Sequence, residues 1–515
     1  MENFFDTMKQ TALEDIDCNV SVTENGALGY STTGQKLVDL HFAISSLRTK
    51  SDSEIESMFM DAYLEDPKLA IMWLFYIRDV HNGLGERRLF RVCLGKVLKE
   101  NPHIAAEAII NLCSLIPEYG RYDDLYAVFA EYPTIVGNLF AEQLNKDLRN
   151  MSEGKPVSLL AKWLKSENTS SKQSIALAKQ TAFFIGWSLK RYRKTLAELR
   201  KYIDVVERKL SSKHYSDINY ETVPSQASLK YKKAFFRNDG KRYENYLDSV
   251  SKGEKKINAA TLYPCDIVHR YMNDGWALEV KDVDKTLEEL WKALPNTVAD
   301  KGSVMVVADG SGSMTSKCNL NSSITALDVA NSLAIYFAER AEGPYKNKYI
   351  TFSNNPQFVD FTNCRTLKDK IKLALKHDEI ASTDIEKVFD LILRTAVNNK
   401  LSQSEIPETI LIISDMEFNY ASRERNEKRL FTVIADKYNR EGYKLPRLVF
   451  WNVASRTNTI PLRENENGLV LVSGYSVNTI KMVMNGKLDP RTALLKEILD
   501  ERYLPVYDKF ISKIV

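Results

Sequence analysis

The sequence predicts an α-helical solenoid over the first 294 residues, followed by an α/β domain with a doubly wound parallel sheet. Three observations predict it. From Gly34 to about Leu294, apolar residues recur at intervals of three and four, in segments divided by Pro, Gly and Asn. After Leu294, short apolar runs alternate with amphipathic helical stretches, as in a parallel sheet covered by helices. The first such run ends on Asp309-Gly310-Ser311-Gly312-Ser313, a carboxylate and two hydroxyls in a turn freed by glycine.

Residues 35–47 open after Thr33-Gly34 and carry Leu37, Leu40, Phe42, Ile44 and Leu47 on broad apolar faces. Helices over 51–64, 67–79 and 86–99 follow, parted by Asp66-Pro67 and by Asn82-Gly83-Leu84-Gly85. Further helices over 102–116 and 122–129 continue the series, with Pro117-Glu118-Tyr119-Gly120 as a rigid stop between them. Short helices joined by short turns predict a HEAT- or armadillo-like solenoid, although no strict repeat period is visible. Residues 187–210 read as one amphipathic helix whose apolar stripe runs through Leu189, Tyr192, Leu196, Leu199, Ile203, Val206 and Leu210.

Residues 295–302 read as a linker between a helical module, 1–294, and an α/β domain, 303–515. Strands are expected over 303–309, 348–353, 409–415, 447–454 and 468–473. Helices are expected over 326–341, 367–377, 385–398, 429–440, 477–485 and 490–500. Ligands of such sheets gather at the carboxyl ends of the strands.

At 515 residues the chain exceeds one ordinary core, so two or three domains are expected. No apolar stretch reaches the length of a membrane span, and the acidic first residues hold no apolar signal core. The six cysteines lie scattered without a Cys-x-x-Cys pair, as reduced thiols of a cytoplasmic protein would. The six histidines are equally dispersed, which argues against zinc.

Other donors are expected near Asp309 on the same sheet edge. Asp415 closes the run of residues 409–415, and Thr383 stands just before a helix, after Ala381-Ser382. Asp-x-Ser-x-Ser with these two residues resembles the metal-ion-dependent adhesion site of von Willebrand factor A (VWA) domains. The resemblance implies one divalent cation, usually Mg²⁺. Ser311, Ser313 and Thr383 would be its hydroxyl ligands, and Asp309 and Asp415 would bind directly or through water. It also implies a coordination position open to an acidic group of a protein partner. Many relatives have Gly-Gly where this chain has Ala381-Ser382. Without the resemblance, Asp and Ser after a strand are ordinary helix caps.

Between Ser188 and Lys256 stand 18 Lys and Arg against 9 Asp and Glu, although the net charge of the chain is only +3. Lys190, Lys194, Lys201 and Arg208 form a stripe that Arg191, Arg193 and Arg200 widen. Lys230, Lys232, Lys233, Arg237, Lys241 and Arg242 follow, interleaved with aromatic residues. Such a segment suits a polyanion, RNA first, with the aromatic rings read as core rather than as stacking platforms. A solvated helix face is the plain alternative.

A helical solenoid followed by a VWA domain resembles the Ro ribonucleoproteins, whose helical part is the TROVE module, and the resemblance implies HEAT-like helices closed into a ring. The wording is nearer to a related family of VWA-containing proteins found in plants, fungi, microbes and large viruses. The shared phrases include Ser21-Val22-Thr23-Glu24-Asn25-Gly26-Ala27 and Tyr119-Gly120-Arg121-Tyr122-Asp123-Asp124-Leu125. Arg121, Asp123 and Asp124 read as buried pairing between helices, and the glycines of residues 81–88 as an interhelical turn. The resemblance implies a non-catalytic RNA-binding scaffold for small or misfolded RNA, structured or single-stranded at its ends, with an acidic protein partner at the VWA site. A protein-assembly module that binds no nucleic acid is the alternative. No Walker loop, Gly-x-Ser-x-Gly or Cys/His nucleophile pattern speaks for an enzyme.

Overall fold

A computed structural model describes residues 19–273, 283–296, 304–318, 322–352, 355–378, 383–420, 429–479, 482 and 489–513. The chain enters through a two-stranded antiparallel hairpin, β1 (Ser21–Val22) and β2 (Leu28–Gly29). Short helices then succeed one another: α1 (Lys36–Phe42), α2 (Ile44–Leu47), α3 (Asp52–Glu65), α4 (Pro67–Arg78), α5 (Arg87–Glu100) and α6 (Ala106–Tyr119). Next come α7 (Tyr126–Phe129), α8 (Pro133–Ser152), α9 (Leu160–Trp163), α10 (Lys172–Ile185), α11 (Leu189–Tyr202) and α12 (Val206–Ser211). The long α13 (Ser225–Ser251), α14 (Pro264–Asn273) and α15 (Lys285–Lys292) complete the helical part.

Local chemistry accounts for several of these boundaries. Ser51 and Glu54 form a capping box that starts α3, and Asp66 caps α4 with Pro67 at its first position. The helix expected over 35–47 is parted at Ala43, because the Ser45 amide donates to Ser473 Oγ (2.9 Å) rather than back along the helix. α6 runs through Pro117 and ends at Gly120, where an added Cβ would lie 2.5 Å from Asp124 Oδ2 and 2.8 Å from Arg78 Nε. The helix expected over 187–210 is two helices. Asp204 adopts φ 55°, a left-handed conformation that no interior helical residue holds.

The sheet of the C-terminal part has six strands: β3 (Val304–Asp309), β4 (Lys348–Phe352), β5 (Gln357–Asp360), β6 (Thr409–Ser414), β7 (Arg447–Asn452) and β8 (Leu469–Ser473). Their spatial order is β5-β4-β3-β6-β7-β8, parallel except for β5, which pairs antiparallel with β4 at the edge. Every residue of β6, β7 and β8 is buried, as a sheet covered on both faces requires. The expected strands are present, whereas β5 is an addition. Its residues Gln357 to Asp360 alternate poorly in polarity and follow Pro356 closely. Helices α16 (Ala326–Arg340), α17 (Leu367–Lys376), α18 (Glu386–Asn398), α19 (Leu430–Arg440), α20 (Pro490–Ile498) and α21 (Leu504–Lys509) accompany the sheet. Of the helix expected over 477–485, Val477–Thr479 form a 3-10 turn and Met482 is helical, and 480, 481 and 483–485 lie outside the described residues. So do Ala381, Ser382 and residues 297–302 of the expected linker.

The two parts share a packed boundary. α1 packs on β8, α14 and α15 pack on α16 or α17, and α4 is covered by α20 and α21. The last contact explains why Ala70 through Arg78 are all buried, since this helix has neighbours on every side. Arg78 is neutralised inside by Asp124, and Arg91 and Arg121 extend the network to Asp123 (2.8 and 3.1 Å). This is the buried Arg–Asp pairing expected of the Arg121-Tyr122-Asp123-Asp124 run. Ser323, His269 and Asp328 form a second linkage. His269 lies 2.8 Å from Ser323 Oγ through Nε2 and 2.7 Å from Asp328 Oδ2 through Nδ1. The same Asp328 oxygen accepts the Thr325 amide in a capping box, so the chain of bonds ties α14 to the start of α16.

Candidate metal centre

The carboxyl ends of adjacent strands β3 and β6 bring two carboxylates together. Asp309 ends β3 and is 1% exposed, and Asp415, directly after β6, is fully buried. Gly310 lets the turn pass close to Asp378, because a Cβ there would stand 2.9 Å from Asp378 Oδ1 and 3.1 Å from its Cα. The Ser311 amide donates to Asp309 Oδ1 (2.9 Å), and Ser414 Oγ donates to Asp309 Oδ2 (2.6 Å). Ser311 Oγ and Ser313 Oγ lie 3.0 Å apart. Thr383 is 3% exposed, and its Oγ1 accepts from Asn25 Nδ2 at 3.2 Å.

Burial, and then the neighbouring Asp415, push the Asp309 carboxyl up to about 7. Asp415 is also raised by burial, while Arg456 pulls the other way through a 3.0 Å contact from Nη1 to Oδ2. Burial raises Asp378 to about 6, opposed by a hydrogen bond from Asn331. Two acids that are costly to ionise side by side gain from a cation placed between them.

The donor set suits Mg²⁺. Among the described residues no group of three or more His, Cys, Asp or Glu is gathered to hold a metal. A cation at this edge would therefore depend on hydroxyls as much as on carboxylates, which is hard-cation chemistry. An octahedral ion with ligands at about 2.1 Å sets adjacent oxygens about 3 Å apart. The Ser311–Ser313 pair already has that spacing.

Residues 19–30 crown this edge. Thr23 Oγ1 donates to the Phe418 carbonyl (2.6 Å), Asn25 Nδ2 also donates to the Glu417 carbonyl (2.5 Å), and Tyr30 exchanges backbone bonds with Ile460. Glu417 is fully buried and accepts the amides of Glu24 (2.8 Å), Arg456 (2.8 Å) and Thr457 (3.0 Å). Arg456 joins Glu24 Oε1 (2.7 Å) to Asp415. Glu24, Asn25, Glu417 and Arg456 escaped the sequence reading. The signal available was the Ser21-to-Ala27 phrase, to which no chemistry was attached.

The basic residues divide. On α11, Lys190, Arg191, Arg193, Lys194 and Lys201 are exposed, with Arg191 stacked 4.2 Å over Trp187 and Arg193 paired to Glu167 at 2.6 Å. Lys230, Lys233, Arg237 and Lys241 are exposed on α13. Arg200, Lys232 and Arg242 are committed to the fold. Arg200 donates to the carbonyls of Ala161 (2.7 Å) and Leu164 (2.8 Å) and to Ser166 Oγ (2.7 Å). Lys232 is ion-paired with Asp284, and Arg242 binds Asp239 (2.8 Å) and the Ile218 and Tyr215 carbonyls (2.9 and 2.5 Å). Arg200 and Arg242 thus stand where a helix end or turn leaves carbonyls to satisfy. Phe235, Tyr243 and Tyr246 are buried around Tyr220, as core residues.

Comparison with known proteins covers both parts. Residues 303–502 match a family model described as "Domain of unknown function (DUF7788)". Residues 23–128 and 166–304 match one described as "Domain of unknown function (DUF2828)". The chain is 30% identical over 529 residues to "Uncharacterized protein L728" of Acanthamoeba polyphaga mimivirus, across 95% of this chain and 89% of the viral protein. The chain belongs to the family of that viral protein. The DUF2828 match begins at residue 23, within the crown, while Asp309, Ser311, Ser313, Thr383 and Asp415 fall in the DUF7788 match. The family pairing therefore contains both sides of the candidate centre. No helix among the described residues is long and apolar enough to cross a membrane.

Proposed function

We propose that this protein is a non-catalytic scaffold that binds RNA on a basic helical surface. Through one Mg²⁺, it would hold an acidic group of a protein partner at a VWA-type site. The observation that carries the metal half is the convergence of Asp309, Asp415 and a 3.0 Å Ser311–Ser313 hydroxyl pair at one sheet edge. A sheet order with the first strand central and an antiparallel edge strand suits a VWA domain, and the run of short helices suits a HEAT-like or TROVE-like module. Mg²⁺ would take oxygens from Ser311, Ser313, Thr383, Asp309 and Asp415 and supply the charge that the partner's carboxylate meets. Arg456 balances Asp415 in part, leaving the pair of carboxylates a net charge that one divalent ion reverses.

The RNA half rests on the exposed lysines and arginines of α11 and α13. The second reading, a protein-assembly module without nucleic acid, draws support from the internal duties of Arg200, Lys232 and Arg242, which thin that surface.

One titration separates the two readings. The full chain is titrated with a labelled structured RNA and a single-stranded one, at several salt concentrations, in Mg²⁺ and in chelator. The scaffold reading expects binding that weakens steeply with salt and survives chelation. Failure to bind either RNA favours the assembly module. Isothermal titration with Mg²⁺ tests the metal half separately: saturation in the parent chain and its loss in Asp309→Ala are expected, and an unsaturable signal overturns it.

A further inference from the structure

A cleft of about 620 Å³ opens where the helical part meets the α/β part. Five arginines line it, Arg48, Arg78, Arg87, Arg88 and Arg121, against two acids, Glu86 and Asp266. Arg48 and Glu86 are a closed buried pair, and Arg88 is held by Asp52 (2.6 Å). Asp266 is pushed up by burial and already accepts from the Tyr263 amide and Gln226 Nε2, both at 3.0 Å. Behind the cleft wall, Asp123 and Asp124 serve three guanidiniums, those of Arg78, Arg91 and Arg121. Arg87 adds a fourth positive charge, is exposed, and forms no ion pair among the described residues. Burial, and the like charges of Arg87 and Arg78, hold Arg121 below its ordinary value despite Asp123 and Asp124. The cleft thus carries positive charge that its own acids leave unmatched.

The backbone adds to this. Residues 85–89 line the cleft and contain the first turn of α5, a helix of 14 residues whose N-cap Glu86 supplies no side-chain cap. The first amides of a helix have no intrahelical acceptor and favour an anion. The loop ahead of α5 is closely packed against Tyr263. Gly85 adopts φ 71°, an added Cβ would stand 2.4 Å from the Tyr263 hydroxyl, and that hydroxyl donates to the Leu84 carbonyl at 2.7 Å. Leu84, Leu262, Tyr263 and Val477 give the cleft an apolar wall. A mixed wall and this volume match the range of small-molecule sites, about 300 to 1,000 Å³.

We propose that this cleft binds a nucleoside phosphate. Arg87, Arg121 and the first turn of α5 hold the phosphate, and the nucleoside lies against Leu84 and Tyr263. The site asks nothing of the metal centre or of the basic faces of α11 and α13, so it stands or falls independently of the function proposed above.

The test is isothermal titration of the full chain with each of the four ribonucleoside monophosphates, with adenosine, with inorganic phosphate and with a 5′-phosphorylated oligoribonucleotide. At least one monophosphate is expected to saturate one site per chain. Adenosine should bind at least about tenfold more weakly, as loss of charge-assisted bonds requires. Arg87→Glu should weaken the monophosphate at least about tenfold with an unchanged melting temperature, because Arg87 is exposed. Lys190→Glu/Lys194→Glu should leave it unchanged. The proposal is overturned by absent saturation, by equal affinity for adenosine, by an unaffected Arg87→Glu variant, or by binding of the oligonucleotide alone.

Discussion

Asn25 donates through Nδ2 to Thr383 Oγ1 at 3.2 Å, joining residues 358 positions apart in the chain. The same nitrogen donates to the Glu417 carbonyl, so the amide bridges the two loops that follow α17 and β6. A hydroxyl that accepts one such bond has its remaining lone pair and its proton directed, which is how an outer residue orients a metal ligand. The crown of residues 19–30 therefore borders the candidate centre, although it lies at the opposite end of the sequence.

Removing that amide should be felt as lost metal affinity rather than lost fold. Asn25→Ala is expected to weaken Mn²⁺ or Mg²⁺ binding about tenfold, the lower end for outer-shell partners. Paramagnetic titration with Mn²⁺ reads the constant directly. An unchanged constant would show that Thr383 is positioned without help from the crown.

The Asp309 carboxyl, raised to about 7 by burial and by Asp415, makes a pH prediction with a definite sign. In the unfolded chain this acid titrates near 4, so between about pH 4 and pH 7 the folded state binds the extra proton. In chelator, the stability this gives is full below pH 4 and is lost as pH rises through 7. Asp309→Asn removes the ionisation, and should raise the melting temperature at pH 8 while changing it little at pH 5. Equal shifts at both pH values would mean that burial and Asp415 do not raise the Asp309 carboxyl in the folded protein. For the parent chain, cation affinity should tighten as pH rises through the same window.

Local pattern made much of the centre legible. Asp309, Ser311 and Ser313 follow an apolar strand, and Asp415 follows another, so sequence neighbours alone place them on one edge. Bonds between distant segments were not legible. Arg456 reaches Asp415 across 41 residues and Glu24 from the far end of the chain, and nothing in its neighbourhood distinguishes it from a surface arginine. Lys232 and Lys241 look alike as text, yet Lys232 is held by Asp284 and Lys241 is exposed. Arg200 sits on the basic side of α11, yet it donates to the carbonyls of Ala161 and Leu164, distant partners that helical spacing does not reveal.

Glu417 anchors the crown, and its removal should cost folding free energy rather than affinity alone. Its carboxylate collects three backbone amides and the hydroxyls of Ser455 and Thr457 (3.2 and 3.1 Å). Glu417→Ala leaves those buried donors without an acceptor and is expected to cost about 3 to 5 kcal/mol. Glu417→Gln keeps one acceptor oxygen but turns an N–H toward other N–H groups, so it should be intermediate. Urea denaturation monitored by tryptophan fluorescence measures both. A loss under about 1 kcal/mol for the alanine variant would mean that water replaces the carboxylate readily.

The basic surface makes a paired prediction, because the structure separates exposed cations from internal ones. Lys190→Glu/Lys194→Glu/Lys201→Glu alters only exposed side chains of α11. It should lower RNA affinity about tenfold or more and flatten the salt dependence, with no change in melting temperature. Arg200→Ala should do the reverse. It strips three bonds from the α9 end and the following turn, costing about 1 to 3 kcal/mol, with RNA affinity at the parent level once the protein is folded. Lys232→Glu places a second acid beside Asp284 and so confuses the two effects, which makes the exposed Lys241→Glu the cleaner probe on α13. Filter binding at three salt concentrations, run beside thermal melts of the same preparations, reads both members of the pair. If the triple variant keeps full RNA affinity, α11 is a solvated face and RNA contact must be sought elsewhere on the protein.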